Sequence, residues 1–260
     1  MAVKRLVAAF VLDRSGSMDC LQTEAIDFFN KQLETLRAGT ALPEKEVEGD
    51  RKIHLATDKP ELETVVCLVP FSSRVDDPIH WLAPLAEVDA LTTETYVPNG
   101  NTALNDAVGS TLERLEAEVG EDDETAVLMF IVTDGAENFS KRFNGAGGAK
   151  ELNQWMEKCK KTGRWTVVFL GSNQDLVETA SSMGMSRGNA YLAAGPAGPE
   201  CPAGWTSRTI ETQARTASFV ESLTSGAHTG GIDEFYGDAL HAFPPDEYEP
   251  DTTDEVADTE

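Results

Sequence analysis

Short apolar runs alternate in this chain with stretches whose apolar residues recur every three or four positions. The runs occupy residues 6–12, 64–71, 126–133, 166–171 and 190–194, and each has the length of a single strand. Consecutive apolar positions indicate a strand buried on both faces, as in a parallel sheet that helices cover on both sides. The pattern therefore predicts an α/β fold with a doubly wound, mostly parallel central sheet.

Amphipathic helices are predicted between and after these strands. Helical spacing of apolar residues is present around residues 21–36, 104–115, 152–159 and 210–223. Residues 74–82 lie between Phe71 and a proline-containing turn at Pro84, and we expect them to supply one more strand. The prediction is a central sheet flanked by helices on both faces, with one antiparallel strand at its edge.

A chain of 260 residues is long enough for one large domain with extensions or for two small domains. The uninterrupted alternation of strands and helices favours one domain over residues 1–231. Within it, residues 40–62 carry charges of both signs with one glycine and two prolines, which is typical of a surface excursion.

Residues 232–260 differ in composition from the rest of the chain. Acids and prolines dominate from about residue 244 onward, so we expect this acidic extension to be largely disordered from there. Before that point, apolar residues that include Phe235 and Tyr236 can dock either on the body of the protein or on a partner.

The charge of the chain restricts its partners. Asp and Glu number 45 against 21 Lys and Arg, which gives a net charge of −24. Eleven of the acids lie within residues 233–260, where no Lys or Arg occurs. The remainder is also acidic and has no concentrated basic patch, which argues against a nucleic-acid-binding surface because phosphates would be repelled.

The apolar runs and the cysteines indicate the compartment. No run approaches the roughly 18 residues that a transmembrane helix needs. The four cysteines are widely separated and contain no Cys-x-x-Cys pair, as expected for reduced structural thiols. We therefore predict a cytoplasmic protein that does not bind membranes, with a virion component as the alternative.

Small oxygen-bearing side chains occur in three separated segments, each next to a predicted strand end or helix start. They are Asp13, Ser15 and Ser17 after the first strand, Thr102 before the second helix, and Asp134 after the strand at 126–133. The turns beyond the carboxyl ends of parallel strands form the ligand crevice of such a sheet. Two carboxylates and three hydroxyls are hard donors that suit Mg²⁺ or Mn²⁺.

Each segment alone has an ordinary structural explanation. Asp-x-Ser-x-Ser and Asn-Thr before a helix are common turn and N-cap compositions, and Thr-Asp-Gly is a common turn after a strand. Their joint occurrence at one edge of the predicted sheet favours a site.

The three segments together resemble the metal-ion-dependent adhesion site of von Willebrand factor A (vWA) domains. The resemblance covers about residues 3–224. The chain fills all five motif positions and is similar to compact stand-alone bacterial and phage members of the family. It implies that Ser15, Ser17 and Thr102 ligate the metal directly or nearly so, while Asp13 and Asp134 anchor it directly or through water. The activity it implies is metal-dependent protein binding rather than catalysis.

The predicted function is therefore a binding module in which the metal bridges to an Asp or Glu carboxylate of a protein partner. Lys141 and Arg142, in the loop after the third segment, and Asn101, beside Thr102, are predicted to contact that partner. The acidic extension can in addition engage a basic region of a partner.

This function has two alternatives. One is a structural or assembly subunit of a phage particle or larger complex, in which the metal only stabilises the fold. The other is an Mg²⁺-dependent hydrolase with Asp13 as nucleophile. The hydrolase is disfavoured because the residue two positions on is Ser15 rather than a second carboxylate, and because no Walker-type Gly-Lys-Ser/Thr follows a strand.

Overall fold

The computed structural model describes residues 3–40, 62–135, 137–171, 175–185, 189–192, 205–227 and 235–236. These residues include six strands, which are β1 (Arg5–Asp13), β2 (Glu63–Phe71), β3 (His80–Pro84), β4 (Thr125–Thr133), β5 (Trp165–Gly171) and β6 (Ala190–Leu192). Its α-helices are α1 (Gln22–Thr40), α2 (Leu104–Val119), α3 (Gly145–Lys161), α4 (Asp175–Ser182) and α5 (Trp205–Thr224). Short 3₁₀ helices cover Gly16–Leu21 and Leu85–Glu87.

The strands form one sheet in the order β3-β2-β1-β4-β5-β6. Every neighbouring pair is parallel except β2 and β3, which are antiparallel. The predicted fold class, a doubly wound and mostly parallel sheet with one antiparallel edge strand, is confirmed. After β1 the chain adds strands on one side, and after β4 it adds them on the other. The crevice at the carboxyl ends of β1 and β4, where the direction changes, is the place where such folds bind ligands.

The antiparallel edge strand lies later in the chain than the predicted residues 74–82. Residues 72–79 mostly form the turn that precedes it, in which the Asp76 N–H donates to the Pro70 carbonyl (3.1 Å) and the Ile79 N–H to the Leu68 carbonyl (2.9 Å). Pro78 has no N–H for a strand ladder. Regular pairing with β2 therefore begins only at His80.

Side-chain alternation along the strands divides the core between the two faces of the sheet. In β1, Leu6, Phe10 and neighbours of the same parity pack in one buried cluster with α1 and α5. Val7 and Val11 pack in the other, with α2 and α3. Because successive strand residues point to opposite faces, the apolar run of seven residues from Leu6 to Leu12 supplies both layers.

Phe235 and Tyr236 pack against the body of the protein. Both are 2% exposed. The Phe235 ring lies edge-on to Phe130 at 6.2 Å between centroids. The backbone N–H of Phe235 donates to Asn189 Oδ1 (2.7 Å). The Tyr236 hydroxyl is 2.9 Å from that of Thr212. The remaining predictions for the acidic extension, and those for residues 41–61 of the excursion, fall outside the described residues.

Two of the predicted structural thiols are deeply buried. Burial raises the pKa of Cys67 to about 11 and that of Cys159 to about 12.

In the described part of the chain, no helix has both the length and the apolar character that a membrane span requires.

Candidate metal centre

The sheet brings the three predicted segments to one edge. Asp13 is the last residue of β1, and Asp134 directly follows β4, its parallel neighbour. Thr102 lies just before α2, in a loop attached to the end of β2, since the Ala103 N–H donates to the Ser72 carbonyl (2.8 Å). Residues that are far apart in sequence therefore meet beyond the carboxyl ends of the central strands.

Hydrogen bonds join the first segment to the third. The Ser15 and Ser17 hydroxyls are 3.1 Å apart, and the Ser17 hydroxyl donates to Asp134 Oδ1 (2.8 Å). Ser15 is 1% exposed, whereas Ser17 is exposed. The cluster is therefore closed on the Ser15 side and open to solvent on the Ser17 side.

The Asp13 carboxylate is held at both oxygens and shielded from solvent. Its Oδ1 accepts the Ser15 N–H (2.7 Å), and its Oδ2 accepts the hydroxyl of Thr133 (2.6 Å). Burial raises the pKa of Asp13 to about 6, and burial also raises the pKa of Asp134. Among the described residues, no lysine or arginine forms an ion pair with Asp13.

The space around Gly135 is bordered by two of the predicted hydroxyl ligands. A Cβ atom placed on Gly135 would be 3.1 Å from Thr102 Oγ1 and 3.5 Å from Ser17 Oγ. Thr102 is 3% exposed. Glycine at this position therefore leaves room beside both hydroxyls that any other residue would partly fill.

Neighbouring loops hold the backbone of the site. The Tyr96 hydroxyl donates to the Asp13 carbonyl, and the Gly16 N–H donates to the Gly100 carbonyl (2.9 Å). Gly100 has a φ of 86°, in the left-handed region, and a Cβ there would meet Ser73 Oγ at 2.7 Å. Glycine is thus required at this crossing of the two loops.

Sequence patterns did not identify three residues that contact the predicted ligands. Thr133 lies within the third segment, where the motif gives it no role, although a hydroxyl next to a buried Asp is a recognisable signal. Tyr96 gives no signal, and Asn138 belongs to the loop expected to line the metal face but has no predicted role of its own. Their contacts with Asp13 and Thr102 depend on how loops fold back.

The residues predicted to contact a partner differ in their surroundings. Arg142 forms ion pairs with Glu113 (2.5 Å) and Glu151 (3.0 Å). Lys141 is exposed, with its Nζ 5.9 Å from the centre of the Phe139 ring. Asn101 is exposed, and its N–H donates to Ser73 Oγ (2.9 Å). The Arg142 guanidinium is thus engaged by two carboxylates, whereas the Lys141 ammonium forms no ion pair with any residue that the structure describes.

The donor set fits a hard divalent cation. Within the residues that the structure describes, no group of three or more His, Cys, Asp or Glu side chains is placed to hold a metal. The candidate centre has instead two carboxylates and three hydroxyls, all oxygen donors of the kind that Mg²⁺ and Mn²⁺ prefer. A buried carboxylate whose pKa is raised by desolvation is stabilised by a nearby positive charge.

Comparison with solved structures shows similarity in fold. The pilus adhesin SpaC from Lactobacillus rhamnosus GG aligns with a TM-score of 0.55 and 10% identity over 85% of this chain and 31% of SpaC. Manganese-loaded Plasmodium vivax TRAP protein aligns with a TM-score of 0.46 and 13% identity over 81% of this chain and 72% of TRAP. The SpRpn10 VWA domain aligns with a TM-score of 0.44 and 11% identity over 80% of this chain and 94% of that domain.

These identities show the fold alone. The chain spans about a third of the length of SpaC. No protein-family model and no curated protein sequence matches the chain. The similarity agrees with the doubly wound fold that the vWA resemblance implies.

Proposed function

We propose that this protein is a non-enzymatic binding module that recognises an acidic side chain of a protein partner in the presence of a divalent cation. The observation that carries the proposal is the convergence of Asp13, Ser15, Ser17, Thr102 and Asp134 at one sheet edge. The same five residues carry the resemblance to the vWA adhesion site.

The chemistry of the donors supports a bridging role for the cation. Three of the five proposed ligands are neutral hydroxyls, so a divalent cation would keep affinity for one further anionic ligand. Bound Mg²⁺ or Mn²⁺ would offset the two carboxylates and accept a carboxylate oxygen of the partner. The exposed position of Ser17 gives that partner access from solvent.

The residues of the chain prepare this site before any cation binds. Ser15 and Thr133 fix the Asp13 carboxylate, and Ser17 fixes Asp134. Preorganisation of this kind reduces the ordering that binding would otherwise require.

The proposal is tested by affinity capture from the source cell extract in Mg²⁺ and in EDTA, with wild type and Asp13→Asn. We expect capture of a specific protein by wild type in Mg²⁺ only. Asp122→Asn is the matched control, because Asp122 also accepts one N–H (3.0 Å) and one threonine hydroxyl (2.6 Å), but in the turn that precedes β4.

Capture that survives both EDTA and Asp13→Asn would contradict the proposal. If a cation then raised the melting temperature without affecting capture, the assembly role would be supported instead. Turnover of a phosphomonoester that disappears in Asp13→Asn would support the hydrolase.

A further inference from the structure

Both backbone groups of Thr102, its N–H and its carbonyl, form hydrogen bonds with residues that follow the third segment. The Thr102 N–H donates to Asn138 Oδ1 (3.0 Å), and the Asn138 N–H donates back to the Thr102 carbonyl (3.1 Å). The Phe139 N–H also donates to this carbonyl (3.2 Å). The second segment is therefore attached to the stretch of chain just beyond Asp134.

Glu137 fixes that stretch of chain. Its carboxylate accepts the N–H groups of Asn105 (2.7 Å), Phe139 (2.8 Å) and Ser140 (2.7 Å), and also the Ser140 hydroxyl (2.6 Å). One of these donors belongs to the first turn of α2, where main-chain N–H groups lack helical partners. Glu137 thus joins the loop to the start of the helix that follows Thr102.

Asp106 repeats the arrangement from the side of the helix. Its carboxylate accepts the N–H groups of Lys141 (2.8 Å), Arg142 (3.0 Å) and Phe143 (2.8 Å). Residues 137–143 are therefore held through their backbone at several points. A loop bonded in this way provides a fixed support rather than a flexible surface.

Thr102 needs such support because it belongs to no helix or strand that would fix its backbone. It lies outside α2, which begins at Leu104, and the N-cap residue Ala103 makes no side-chain capping bond. A hydroxyl ligand contributes to metal affinity only if it is held in the productive geometry.

We propose that Asn138 is a positioning residue that sets the Thr102 hydroxyl relative to Asp134. This inference rests on the proposed function, since it assumes that Thr102 is a ligand. The Asn138 side chain orients Thr102 by accepting its peptide N–H. The hydrogen bonds of Glu137 and Asp106 keep the start of α2, and with it the second segment, fixed relative to the residues that follow β4.

The test measures the affinity of the full chain for Mn²⁺ alone, by titration calorimetry or by the electron paramagnetic resonance signal of free Mn²⁺. We expect Asn138→Ala to bind Mn²⁺ about tenfold more weakly than wild type, as for other residues that orient metal ligands. Asn138→Asp keeps the acceptor oxygen and adds a charge that favours a cation, so it should bind at least as tightly as wild type.

Asn189→Ala is the matched control. Asn189 Oδ1 also accepts a backbone N–H, that of Phe235 (2.7 Å), but it lies directly before β6, the outermost strand, which β5 separates from β4. We expect it to lower the melting temperature without changing the affinity for Mn²⁺. A parallel loss in both asparagine variants would mean that general destabilisation is the cause and would overturn the inference.

The remaining outcomes separate the two proposals. If wild type binds Mn²⁺ and Asn138→Ala binds it equally well, the positioning role is wrong while the proposed function stands. A loss of affinity in Asn138→Asp as large as in Asn138→Ala would also overturn it. If wild type binds neither Mn²⁺ nor Mg²⁺, the proposed function itself fails.

Discussion

The hydroxyl of Thr133 donates a 2.6 Å hydrogen bond to Oδ2 of Asp13, from the last residue of β4 to the last residue of β1. This bond lies between two neighbouring parallel strands and is fully buried. It stabilises the ionised form of a carboxylate that burial otherwise destabilises, so it keeps Asp13 closer to the charge state that a cation requires.

Replacing Thr133 with valine removes this donor while conserving the shape of the side chain. A hydrogen bond to the charged form contributes about 1.5–3 kcal/mol, so its loss raises the pKa of Asp13 further and lets a proton compete with the cation at pH 7. The affinity for Mn²⁺ should therefore fall by up to about tenfold. Thr125→Val is the control, because Thr125 is equally buried, begins the same strand, and donates to Asp122 Oδ2 (2.6 Å). Equal Mn²⁺ affinity in both variants would contradict the role of Thr133.

The stability of the metal-free protein should depend on the protonation of Asp13. Its pKa is about 6 in the folded protein and about 3.9 in an unfolded chain, so the folded state binds the proton more tightly. The resulting stabilisation is complete below about pH 4 and is lost as pH rises through 6. Over that range it amounts to about 3 kcal/mol.

Asp13→Asn isolates this effect, because the amide does not titrate. In EDTA, the free energy of unfolding of the variant relative to wild type should increase by about 2 kcal/mol, most of the total effect, between pH 4 and pH 7. Urea denaturation at several pH values measures the difference, in which the titrations of other groups largely cancel. A difference that stays constant with pH would show that Asp13 has an ordinary pKa.

Gly135→Ala should weaken cation binding by steric means. The backbone of Gly135 is outside the left-handed region, so alanine is conformationally allowed, but its Cβ would be 3.1 Å from Thr102 Oγ1. We expect an affinity for Mn²⁺ about tenfold lower than that of wild type, with little change in melting temperature. In Gly147→Ala, the new methyl group meets no atom within 4 Å, and Mn²⁺ affinity should be unaffected.

Tyr96→Phe removes the donor to the Asp13 carbonyl and leaves a buried acceptor without that bond. Stability should fall by about 1–3 kcal/mol, and Mn²⁺ affinity should fall as well because the end of β1 is released. Tyr236→Phe removes a comparable buried contact, with the Thr212 hydroxyl at 2.9 Å, far along the chain from the motif. Thermal melts and Mn²⁺ titrations of both variants should show two losses of stability but only one loss of affinity.

Much of this fold can be predicted from the pattern of apolar residues. The run at residues 126–133 is almost the whole of β4, because a strand buried on both faces has to be apolar throughout. The edge strand is less predictable, because a strand with one neighbour carries a weaker pattern, and only the turn through Pro78 shows that it begins at His80.

The residues of the candidate site are predictable for a different reason. Asp13 and Asp134 follow strong strand patterns, so their position at the sheet edge is a consequence of strand direction. Asn138 and Tyr96 lie in loops without periodicity, and their contacts with the site depend on tertiary packing that local sequence does not encode.

The bond between Ser17 and Asp134 joins residues 117 positions apart in the chain. Such a contact requires the closure of a long loop, so it forms only after β1 and β4 have paired. A ligand held by these residues would have nothing to bind during the early steps of folding. It would act on the native state instead, leaving the rate of refolding almost unchanged and slowing the rate of unfolding. In the cell, occupancy of this sheet edge would lengthen the lifetime of the folded protein rather than help it to form.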